Sequence, residues 1–204
     1  MNTKEKIFDV SIDLFSEHGY DGVSIRRIAR AVGIKESSIY NHFKSKESIL
    51  DEILNYYINE MTREEISTDT AGRNLDIGFD YFYKEGLDLY MSKLSDERMM
   101  KITRIIIIES YHNEKIRSFI KDFMIEEPIK GWIELFDLMK EKNLIIRECD
   151  SNQLARSFFY YGMFLLIEHF TINYPEDDMK FLNQMALKSQ NHMKLIYNSV
   201  KVRE

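Results

Sequence analysis

Residues 24–50 read SIRRIARAVGIKESSIYNHFKSKESIL, and two short helices lie within them. In the first, Ile25, Ile28, Ala29 and Val32 recur at helical spacing and make one apolar side. Counting about 100° per residue puts Arg26, Arg27 and Arg30 together on the opposite side. Gly33 ends this helix in a short turn, and Ile34 is apolar enough to plug the corner. A second helix follows from about Glu36 to Phe43, with Ile39 and Phe43 inward. Ser37, Ser38 and Asn41 then point outward, flanked by Tyr40 and His42. Two short helices joined by a glycine turn describe a helix-turn-helix.

The charge around these helices is unlike that of the rest. Between Ser24 and Lys46 the six cations Arg26, Arg27, Arg30, Lys35, Lys44 and Lys46 face Glu36 alone, a balance of +5 in a chain of net charge -6. Residues 1–50 hold 8 Lys/Arg and 7 Asp/Glu, while the remainder holds 20 and 27, a balance of −7. An acidic body with one basic patch points to a polyanion that binds at that patch only. A run of charge is more often a solvated helix face. Here the arginines, the turn and the outward polar set occur in register, and double-stranded DNA becomes the expected partner. Serine and asparagine both donate and accept, which suits base edges in a major groove. Tyr40, His42, Lys44 and Lys46 are placed for phosphates, which set register and affinity. The amide end of the first helix, headed by Ser24, is a further phosphate site. Tyr40 as a packing residue and His42 as a solvated side chain are the competing readings.

Upstream, Ile7, Val10, Leu14 and Phe15 make the stripe of another helix, which Gly19 is placed to stop. Tyr20, Asp21 and Gly22 then turn the chain toward Ser24, a helix cap. Downstream, a fourth helix starts near Ser45 and carries Leu50, Ile53, Leu54, Tyr57, Ile58 and Met61 inward.

The whole order HGYDGVSIRRIARAVGIKESSIYNHFKSKESIL resembles the DNA-binding domain of TetR/AcrR-family transcriptional regulators. The residues that carry the resemblance are Gly19, Ser24, Ile28-Ala29, Val32-Gly33, Tyr40, Phe43 and Lys46-Glu47, within about residues 3–57. The resemblance implies that the helix at Glu36–Phe43 reads DNA. Ser24, Tyr40, His42 and Lys46 match phosphate contacts, with Arg26 and Arg27 beside them; Lys35, Ser37, Ser38 and Asn41 match base or groove-edge contacts. Many relatives carry glycine where this chain has Ser37, so a hydroxyl stands where backbone would approach. The resemblance further implies a homodimeric repressor with an effector pocket in its C-terminal domain, released from its operator by a small molecule. The alternative is a helical ligand- or protein-binding module that no longer reads DNA.

Over the full 204 residues, two prolines and eight glycines leave few helix breakers, and an all-α fold of about nine helices is expected. Residues 1–46 form a three-helix DNA-binding domain and 47–204 a larger effector-binding and dimerisation domain in this reading. STDTAGRN, 67–74, is polar and aperiodic and reads as a loop. Helices follow at about 75–93, 96–112, 114–142, 151–173 and 177–201, with Pro128 kinking or restarting the long central one. Aromatic residues crowd this part; most are core, and Tyr83, Trp132, Phe136 and Phe158 are the candidates for an effector site. Residues 154–172 are apolar on nearly every side, and Met179, Leu182, Ala186, Met193, Ile196 and Val200 form a near-heptad seam. A homodimer through residues 151–201 would cover both.

Enzyme chemistry finds little support. The chain carries no G-x-G-x-x-G, no Gly-Lys phosphate loop and no serine or cysteine nucleophile motif. Glu109 and His112 make one E-x-x-H, half of a di-iron site whose second half is missing; they read as pocket-edge or surface polar groups. His169 reads as a core or dimer-contact histidine. Neither a catalytic residue, a metal nor a cofactor is expected. Cys149 is the only cysteine, so no internal disulfide can form. The apolar run Phe158–Ile167 is too short to span a bilayer, and the N-terminal residues are charged throughout, which together predict a cytoplasmic protein with no membrane partner.

Overall fold

A computed structural model describes residues 2–64, 67–175 and 177–202, and its regular elements are helices. They fall into two compact units. The N-terminal residues through Arg63 join with Lys93–Ile116 in one; Glu64–Ser92 joins with the chain from Arg117 onward in the other.

The first unit opens with α1, Thr3–His18, started by a capping box between Asn2 and Glu5. Its inner face buries Ile7, Phe8, Ile12 and Phe15. Gly19 ends it at φ +72, a conformation a Cβ disfavours. Ser24 caps α2, Ile25–Val32, by accepting the Arg27 amide, and Gly33 closes it in the left-handed region at φ +81. The next helix, α3, spans only Glu36–Tyr40. It is shorter than its apolar spacing predicts. Ser45 must be extended to cap α4, Lys46–Thr62, so the chain leaves the helix early and Asn41 and His42 lie in the following turn. Phe43 still turns inward and is buried.

α1 packs against α2, α4 and α7, Glu97–Glu109. Ile102, Ile105 and Ile106 of α7 are wholly buried, so the isoleucine run that locally resembles a strand is the spine of this unit. Isoleucine is a weaker helix former than leucine, but burial outweighs that difference of a few tenths of a kcal/mol.

The second unit begins with a departure from the sequence reading. Residues 67–74 are not a loop: Ser67 caps α5, Thr68–Ile77, and Gly78 ends it. Its polarity hides a two-residue anchor, because Ala71 and Leu75 lie four apart and both are buried. α6 follows at Phe79–Leu94. A helical stretch then runs unbroken over 114–141, as α8 (Glu114–Phe119), a π-helical segment (Ile120–Glu126) and α9 (Glu127–Glu141). Pro128 sits in the first turn of α9, where its missing amide costs least. Just before it the Glu127 amide reaches back to the Asp122 carbonyl, the wider π spacing. α10, Ser151–Glu168, runs into a second π segment, His169–Asn173, and α11 covers Asp178–Val200. Uninterrupted stretches therefore number ten among the described residues, against about nine expected.

Phe79, Phe82, Tyr83, Ile129, Phe136, Met139, Ala155 and Met193 centre the core of this unit. The end of α11 is pinned by the Ile146 amide donating to the Val200 carbonyl at 2.8 Å. Much of the near-heptad seam is used inside the chain: Leu182, Met193, Ile196 and Val200 are buried. Of the seam only Met179 is exposed, and the other apolar residues left outside include Tyr160 and Phe164 on α10 and Leu187 and Leu195 on α11. No helix among the described residues is long and apolar enough to cross a membrane.

Candidate nucleic-acid interface

α2 and α3 pack on one another around Ile28, Ala29 and Ile39, which turns their remaining residues outward. Arg26, Arg27, Arg30, Lys35, Ser37, Asn41 and His42 are exposed, Ser38 is half-buried, and Tyr40 is 55% exposed. Tyr40 is therefore no packing residue within this unit. Nine of the ten residues expected at DNA stand on or beside this exposed face; Lys46 is the exception.

The cations differ in how they are held. Arg26 Nε donates to Glu36 Oε1 at 2.7 Å, so the lone acid of the segment ties α2 to α3. That hydrogen bond and charge push the Arg26 pKa further up. Both groups are exposed, and such a pair contributes little stability; it fixes orientation. Arg27, Arg30, Lys35 and Lys44 stand in solvent, free to meet a polyanion. The Ser24 hydroxyl accepts the Arg27 amide at 3.2 Å and keeps its own proton to donate. Lys46 is half-buried. Its ammonium donates to the carbonyls of Tyr20 at 2.8 Å and Val23 at 3.0 Å, and lies 4.1 Å from the Tyr20 ring centroid. An ammonium has three N–H donors, so one remains for a phosphate.

Glu109 does not lie at the surface or a pocket edge, as its E-x-x-H spacing suggested: it is 9% exposed. It accepts the Tyr20 amide at 2.8 Å. His112 lies exposed in the turn after α7, against the Tyr111 ring. Nothing local in the sequence marks the Glu109–Tyr20 contact, whose partners are 89 residues apart.

In the second unit the four effector candidates come together from α6, α9 and α10. Trp132 meets Phe158 edge-on at 4.4 Å between centroids and tilts against Phe136 at 6.0 Å. Tyr83 meets Phe158 at 5.8 Å and Trp132 at 6.4 Å. The Tyr83 hydroxyl is buried with no hydrogen-bond partner among the described residues, and burial pushes its pKa up. Such a group costs about 1–3 kcal/mol when left unpaired. His169 is a core histidine, stacked 3.9 Å from Phe181 with Nε2 2.9 Å from Asp178. Among the described residues no group of three or more metal-ligating side chains is gathered.

A family model described as bacterial regulatory proteins, tetR family, matches residues 7–53, the part that carries this face. The biofilm operon icaADBC HTH-type negative transcriptional regulator IcaR of Staphylococcus aureus is 53% identical over 49 residues, 24% of this chain. The chain thus spans about a quarter of the length of these curated relatives, 26%. Over the whole chain the likeness is one of fold. A TetR family transcriptional regulator from Chloroflexus aurantiacus superposes with a TM-score of 0.67 at 15% identity, covering 98% of this chain and 94% of the other. AibR, solved with isovaleryl coenzyme A and operator DNA, gives 0.59 at 22% identity over 91% of this chain and 96% of its own.

Proposed function

We propose that this chain, whose residues 7–53 match the bacterial regulatory proteins of the tetR family, is a ligand-responsive transcriptional repressor. The single observation that carries the reading is the exposed face of α2 and α3. Its one acid is already paired with Arg26, and small polar groups stand between uncompensated cations. Ser24, Arg26, Arg27, Tyr40, His42 and Lys46 hold phosphates in this reading, while Lys35, Ser37, Ser38 and Asn41 meet the groove. Residues 1–46 read DNA, and 47–204 bind effector and dimerise.

Repression as the mode is carried over from IcaR, a negative regulator. A homodimer formed through residues 151–201 is supported by the apolar side chains left outside on α10 and α11: Phe164 is 56%, Leu187 59% and Leu195 69% exposed. In this reading the effector binds at Tyr83, Trp132, Phe136 and Phe158, where it would supply the partner that the Tyr83 hydroxyl lacks among the described residues. Such a protein works in the cytoplasm, where its DNA is.

A gel-shift titration with the DNA flanking the chain's own gene tests the reading. Binding should be site-specific and fall steeply with salt, since each phosphate held contributes a slope of about −0.9 in log K against log salt. A chain that shows no specific, salt-sensitive complex is a binding module that has ceased to read DNA.

A further inference from the structure

Glu109 is a buried carboxylate whose role is not accounted for by the reading face, and everything around it leads to one turn. Oε1 accepts the Tyr20 amide at 2.8 Å. A Cβ on Gly19 would come within 2.8 Å of the same oxygen, so the glycine serves close approach as well as its positive φ. The Tyr20 carbonyl is held from the other side by Lys46 Nζ at 2.8 Å, which also takes the Val23 carbonyl at 3.0 Å. The Tyr20 ring lies under that ammonium and edge-on to Phe15 at 5.2 Å. Burial, aided by the Glu47 carboxylate, pushes the Tyr20 phenol pKa up. The turn between α1 and α2 is thus clamped to the end of α7 by Glu109 and to the start of α4 by Lys46.

That turn delivers Ser24, the cap and amide end of α2. Only Ile28 and Ala29 of α2 are buried, so its own apolar contacts fix its placement weakly. Burying a carboxylate is costly unless hydrogen bonds favour its charged form, and here it accepts an amide of the turn.

We propose that Glu109 is a positioning residue for DNA reading: through the Tyr20 amide it fixes the turn that sets α2 and α3 against the duplex. The inference rests on the DNA-reading function proposed above. It makes a prediction of opposite sign to simple electrostatics. Removing a negative charge from a DNA-binding protein strengthens binding by charge alone, whereas loss of positioning weakens it.

The test compares the unaltered chain, Glu109→Ala and Glu109→Gln on the flanking DNA and on random-sequence competitor, with the Tyr20 amide followed by proton–nitrogen NMR. In Glu109→Ala the Tyr20 amide proton should move upfield, and specific affinity should fall about tenfold or more, the scale of one charge-assisted hydrogen bond. Affinity for competitor DNA should stay equal or rise. Glu109→Gln keeps an acceptor oxygen and should recover most of the loss; it carries the test if the alanine variant does not fold. A variant whose Tyr20 signal moves while specific binding is unchanged or tighter overturns the inference, as does an equal loss on competitor DNA. If the unaltered chain itself binds no specific site, the proposed function fails and the positioning role with it.

Discussion

The reading face and the aromatic cluster of the second unit are built by opposite rules. On α2 and α3 the candidate residues are those the core does not use; Ile28, Ala29 and Ile39 fold the motif, and its other side is left for a partner. In the cluster two candidates, Tyr83 and Phe136, are core, and Trp132 and Phe158 are partly buried against it. Phe136 is 1% exposed, Tyr83 5%, and the rings touch one another. Function can change on the first surface with little effect on stability. In the second, every change in ligand fit is also a change in packing.

Substitutions can break that contrast or sharpen it. The largest effect belongs to Phe136→Ala, which should destabilise the chain by about 3–5 kcal/mol through the cavity it leaves. Thermal unfolding would show a fall of several degrees; a melting temperature within a degree of the unaltered chain would mean that the cluster is not core. Asn41→Ala comes next. It should cost about 1–3 kcal/mol of discrimination between sites, with melting unchanged. Equal loss on every sequence would refute its base-reading role. The smallest effect has the reverse sign. Tyr83→Phe removes a buried hydroxyl that has no partner among the described residues and should stabilise the chain by about 1 kcal/mol. A loss of stability instead would mean that the hydroxyl is satisfied in solution.

The same contrast explains what could be read from sequence. Gly19, Ser24, Gly33 and Ser45 are local devices, each acting within a few residues, and the helix-turn-helix follows from them. α3 ends before its periodicity does: the apolar spacing runs on through Phe43, while the cap of the next helix, two residues later, requires the chain to be extended. α5 is hard to read from sequence since its two buried residues, Ala71 and Leu75, are outnumbered by polar neighbours. The seam of α11 was legible as apolar, but periodicity does not say which chain covers it; Leu182, Met193 and Ile196 turn out to be covered within their own. The four aromatic candidates stand in an aromatic-rich stretch, and their meeting across α6, α9 and α10 depends on contacts far apart in sequence. Glu109 marks the limit. Its acidity and E-x-x-H spacing suggest a pocket-edge or surface group, and only the fold brings it to Tyr20.

Hydroxyl-radical footprinting of the flanking DNA tests the central claim most directly. A homodimer reading through α3 predicts two protected patches on one face of the duplex, centred about one helical turn or a multiple of it apart. They should weaken together as salt rises. Uniform protection along the fragment, or a single patch unaffected by salt, would contradict it.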